Sequence, residues 1–112
     1  MNTASNSTIV NGAIDEMVRR IVRQFQPDRI ILFGSRARSN DVPDSDVDLM
    51  IVMPITRTKA QLEIEIGVAL HDIRVPKDIV VVSPQEYERY RDVVGTLVHP
   101  ASREGKILYA RS

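Results

Sequence analysis

Two aspartates one residue apart, Asp46 and Asp48, follow a glycine–serine pair, Gly34 and Ser35, with ten residues between the two groups. Each group by itself suggests a chemistry. Side chains alternate along an extended chain, so Asp46 and Asp48 share one face of a strand while Val47 and Leu49 point to the other. Like charges held this close are unfavourable unless a cation sits between them or one of them takes a proton. A hard cation such as Mg²⁺, with Mn²⁺ as a substitute, suits such a pair, because it binds through one or two carboxylates and completes its shell with phosphate oxygens. A glycine followed by a small hydroxyl residue lets the backbone approach a bulky anion, with the Ser35 hydroxyl and nearby N–H groups as donors. An Asp-x-Asp alone reads better as a polar surface hairpin. The glycine–serine pair at the end of one apolar run, ten residues before an Asp-Val-Asp-Leu that opens another, is far more specific.

The elements that must position these groups are legible around them. Residues 29–33 and 46–53 are short, β-branched and apolar, and read as two strands, the second closed by Pro54. Upstream, Ile9/Val10, Ala13/Ile14, Met17/Val18, Ile21/Val22 and Phe25 form the stripe of an amphipathic helix that Pro27 ends. Residues 1–8 read as a flexible lead-in, with Ser7 as the helix cap, and 9–112 as a single domain. Thr58 with Gln61 fits a capping box, and Leu62, Ile66, Ala69, Leu70 and Ile73 continue a helix to about residue 74. Ile64 and Val68 widen its apolar face, as core or as a contact for another copy of the chain. Residues 77–83 read as a buried strand whose one acid is Asp78. Ser83, Pro84 and Glu86 make a strong helix start, with the helix running to about residue 92. A loop with a short helix follows over 93–103, then a turn at Gly105 into a last edge strand.

Composition narrows the classes. At 112 residues, the chain has room for one core but not for a palm plus template-holding domains. Lys plus Arg and Asp plus Glu balance at 15 each, so the strong basic field of a nucleic-acid binder is missing. There are no cysteines for a disulfide framework or thiolate zinc site. The polar N-terminal residues lack the pattern of a secretion signal, so the expected location is the cytoplasm. His71 and His99 have no second ligand at metal spacing and read as surface or packing residues. Arg36 and Arg38 follow the glycine–serine pair directly, where a guanidinium could pair with a triphosphate.

Gly34, Ser35, Ala37 and Arg38, followed by Ser45, Asp46, Asp48 and Leu49, resemble the signature of the DNA polymerase β-type nucleotidyltransferase superfamily, and in particular of its minimal single-domain members. Ser39 departs from the usual glycine, and the resemblance spans about residues 18–109. It implies an α+β, polymerase β palm-like fold, with a mixed central sheet and helices packed on one face. The strands at 29–33, 46–53 and 77–83 are then neighbours. It also implies that Asp78 is the third carboxylate, so that Asp46, Asp48 and Asp78 are the catalytic and metal-binding residues. Gly34, Ser35, Arg36 and Ser45 would hold the nucleotide. The implied reaction transfers a nucleoside monophosphate, AMP from ATP or from another NTP the equivalent group, to an acceptor hydroxyl by a two-metal mechanism. Minimal members are often antitoxins that add AMP to a tyrosine of a HEPN-domain toxin partner. The alternatives are a non-catalytic antitoxin that neutralises by covering its partner, and transfer to a small molecule such as an aminoglycoside. Enzymes of the last kind generally carry a further acceptor-holding domain.

Overall fold

The computed structural model describes residues 4–38 and 46–111, with side chains from Val10 onward. The apolar stripe closes as one long helix, α1 (Ala4–Phe25), which buries Ile14, Met17 and Ile21. It begins before Ser7, so Ser7 lies within the helix and does not cap it. Gln26 then takes a left-handed backbone conformation, φ 51°, and Pro27 cannot continue the helix, so the chain turns back.

The strands are β1 (Arg29–Phe33), β2 (Val47–Val52), β3 (Lys77–Val82) and β4 (Lys106–Ala110). They form one mixed sheet in the order β3-β2-β1-β4. β1 pairs antiparallel with both β2 and β4, and β2 pairs parallel with β3. The parallel pair needs a crossover, which α3 (Lys59–Ala69) supplies from its cap at Thr58. The three strands expected to be neighbours are neighbours, and the last strand is an edge. α3 stops at Ala69, short of the residue 74 expected, and the chain reaches β3 through a turn in which Ile73 N donates to Leu70 O.

The sheet buries both faces. On one, Ile30, Leu32, Val47, Leu49, Ile51 and Val81 pack against α1 and against Leu62, Ile66 and Leu70. On the other, Ile31, Met50, Val52 and Val82 pack against two short helices, α4 (Pro84–Tyr90) and α5 (Val98–Glu104), through Tyr87, Val98 and Ala101. The long helices thus cover one face as expected, and the expectation of helices on that face alone needs correcting. Helices of seven residues offer one or two buried anchors each, too few for a periodic signal. Gly105 lets α5 end hard against β1, since a Cβ there would run into Ala101 O, Leu32 O and the Ile31 side chain.

α4 starts with the full capping box foreseen: Ser83 Oγ accepts from Glu86 N at 3.0 Å, and Glu86 Oε1 accepts from Ser83 N at 2.9 Å. Lys59 also pairs with Glu86 and ties the start of α3 to α4. Ser83→Ala is expected to cost about 1 kcal/mol in urea denaturation at neutral pH. The Lys59 ammonium and then the Ser83 N–H hold the Glu86 carboxyl below its ordinary value. An acid whose pKa falls on folding stabilises the fold above its unfolded value, and this is lost as pH drops through the folded one. Glu86→Gln should therefore lower stability at neutral pH and make little difference in acid.

Candidate active site

The site is built where β1 ends and β2 and β3 begin. At the end of β1, Gly34 turns the chain with φ 77°, and its carbonyl accepts from Ala37 N and Arg38 N at 3.1 and 3.4 Å. This makes a single turn of helix, α2 (Ser35–Arg38), in place of the open loop expected. Gly34 is required twice over. Its φ lies where side chains are rarely tolerated, and a Cβ there would overlap the carboxylate of Asp48.

Asp48 lies on β2 between Val47 and Leu49, which point into the core under α1 and α3. By strand alternation Asp48 stands on the opposite face, the face of Met50 and Val52. The parallel register sets Asp78 of β3 beside Asp48, and Val47 N donates to Pro76 O at 2.9 Å, which fixes that register at its start. Asp78 is exposed, Asp48 half-buried, and Asp46 exposed immediately before β2. Asp78 therefore lies on the same face as Asp48, at the same end of the sheet, the position that the family resemblance implies. Burial raises the pKa of the Asp48 carboxyl, and the charges of Asp78 and then Asp46 raise it further.

Ser35 is half-buried at the start of α2, and Ser45 lies outside the described residues. Arg36 is buried, 7% exposed, and already partnered within the fold. Arg38 is exposed and pairs with Glu104 of α5 at 3.5 Å. Phe33, which the sequence reading passed over, shares the face of the carboxylates and is the direct cross-strand partner of Asp48. Its place there comes from the pairing of β1 with β2, which alternation within either strand does not reveal.

Among the described residues no group of three His, Cys, Asp or Glu is arranged to hold one metal ion. What the donor set fits is a hard cation that takes one or two carboxylates and draws its remaining ligands from water and phosphate. Asp48 and Asp78 on neighbouring strands, with the Asp46 charge close enough to act on Asp48, are a setting that such a cation relieves.

The chain matches the nucleotidyltransferase domain over residues 14–99, most of its length, and belongs to that family. A solved structure from Sulfolobus solfataricus, described as a nucleotidyltransferase, superposes with a TM-score of 0.68 at 19% identity, covering 96% of this chain and 86% of that one. That likeness is one of fold. A mutant of the toxin–antitoxin pair MntA–HpeT gives 0.49 at 16% identity, over 88% of this chain and 73% of the other. No curated protein matches the sequence. No helix among the described residues is long and apolar enough to cross a membrane.

Proposed function

We propose that this chain transfers AMP from ATP to a hydroxyl of a partner protein, with Asp46, Asp48 and Asp78 as its metal-binding and catalytic carboxylates. The observation that carries this reading is the register of Asp48 beside Asp78, with Gly34 seated on the Asp48 carboxylate. That contact joins the anion-binding turn to the carboxylates. A bound divalent cation would neutralise phosphate charge and lower the pKa of the attacking hydroxyl. The Ser35 hydroxyl and the backbone after Gly34 hold the terminal phosphates in line with attack, so that the α-phosphorus is presented to the acceptor. The acceptor oxygen bonds to the α-phosphorus, the bond to the β-phosphate oxygen breaks, pyrophosphate leaves, and Asp78 takes the proton. Ser45 is a further nucleotide contact in this reading. Arg36, being buried and partnered, contributes by shaping α2, with any direct contact to phosphate requiring its release.

The resemblance of residues 34–49 to minimal nucleotidyltransferases supports a HEPN-domain toxin as the acceptor and an antitoxin role for this chain. A ligand that binds only the native state raises stability by mass action, by about 2.7 kcal/mol at a hundredfold excess over Kd. Melting temperature should therefore rise with Mg²⁺ or Mn²⁺ and rise further when ATP is added. A melting curve that neither metal nor metal with ATP displaces would overturn the reading.

A further inference from the structure

We propose that Phe33 is the platform on which the nucleoside of the donor nucleotide rests. The proposal depends on the nucleotidyltransferase reading and adds to it a residue outside the motif.

It rests on how the carboxylate face is covered. Register arranges this face in rows across β1, β2 and β3: Phe33, Asp48 and Asp78 at the site end, then Ile31, Met50 and Val80, then Arg29, Val52 and Val82. The inner two rows lie under α4 and α5, where Ile31 is 1% exposed and Met50 is fully buried. In the outermost row Phe33 and Asp48 are half-buried and Asp78 is exposed. An aromatic residue therefore stands at the margin of the second core, packed against it, half-buried, and paired across the strands with Asp48, with Asp78 one strand further.

Distance and chemistry do the rest. Directly paired residues of antiparallel strands have Cβ atoms about 4.5–5.5 Å apart, so the base of the Phe33 side chain adjoins that of Asp48. Phe33 is also bonded to Gly34, the start of the turn that takes the phosphates in this reading. In this reading the α-phosphate, which carries the sugar and base, lies at the carboxylates, so the nucleoside starts from the row in which Phe33 is paired with Asp48. A nucleobase stacks on an aromatic face without specific hydrogen bonds, which this row of one ring and two acids does not otherwise offer.

The test compares Mg²⁺–ATP with Mg²⁺–tripolyphosphate, which has the phosphates and no nucleoside, by calorimetric titration of wild type, Phe33→Leu and Phe33→Tyr. Stacking on Phe33 predicts that Phe33→Leu binds ATP on the order of tenfold more weakly, that Phe33→Tyr stays close to wild type, and that all three bind tripolyphosphate alike. If Phe33→Leu does not fold, Phe33→Met makes the same comparison. ATP affinity unchanged in the aliphatic variant would make Phe33 a core residue only and overturn the proposal. So would equal weakening of both ligands, or a loss that falls on the acceptor's KM and leaves ATP binding intact. A wild-type chain that binds neither ligand would bring down the nucleotidyltransferase reading itself, and the proposal with it.

Discussion

Asp48→Asn is expected to reduce label transfer from ATP by roughly a thousandfold or more, equivalent to about 4 kcal/mol of lost charge stabilisation at the reacting phosphate. Asparagine keeps the shape that Gly34 packs against, so partner binding should survive. Without metal, the variant should melt higher than wild type. The sign follows from the direction of the shift: an acid whose pKa is raised on folding, here by burial and then by Asp78 and Asp46, destabilises the fold at pH values where it is ionised. The neutral amide removes that cost. Label transfer, partner affinity and metal-free melting temperature, measured on both proteins, check the three parts separately. A variant that transfers label at the wild-type rate would exclude Asp48 as a metal ligand.

Gly34→Ala is the second large effect, because two separate penalties meet at one atom. The left-handed conformation costs an L-residue about 1–2 kcal/mol. The new methyl also displaces the Asp48 carboxylate from the position in which the proposed chemistry uses it. Transfer should fall by about a hundredfold or more, with stability lower by at least the conformational cost. The double variant Gly34→Ala with Asp48→Ala separates the two penalties, since an alanine at 48 keeps only its Cβ, 3.5 Å from the added methyl. Urea denaturation should then show a cost clearly smaller than the sum of the single changes, the mark of residues in contact. Strict additivity would mean that the methyl does not meet Asp48.

The parts with a local cause were the ones legible in the sequence. The two strands follow from their short β-branched apolar runs, the face of Asp48 from alternation, and the start of α4 from the Ser83 and Glu86 pairing, whereas Asp46, expected to open the second strand, lies just before it. The position of Asp78 is different: nothing local puts it beside Asp48, and it was placed by resemblance. The parallel register of β2 and β3, pinned by Val47 and Pro76, is a tertiary fact. The covering of the second sheet face was missed because α4 and α5 act through one or two anchors each, Tyr87 in α4 and Val98 and Ala101 in α5. Arg36 shows the limit of reasoning from proximity. Its place after Ser35 suggests a phosphate contact, yet α2 turns it inward, and a turn of four residues leaves no periodic trace.

Nucleotidyl transfer by the carboxylate face can be followed through the fate of the label when the chain, Mg²⁺ and the proposed HEPN-domain partner are mixed with ATP. Two preparations are compared, one labelled on the α-phosphate and one on the γ-phosphate. Nucleotidyl transfer puts label on the partner from α-labelled ATP alone, with the γ-label released in pyrophosphate, and none with Asp48→Asn. Neutralisation of the partner with no label incorporated, equally by wild type and Asp48→Asn, would contradict it and leave a protein that acts by binding alone.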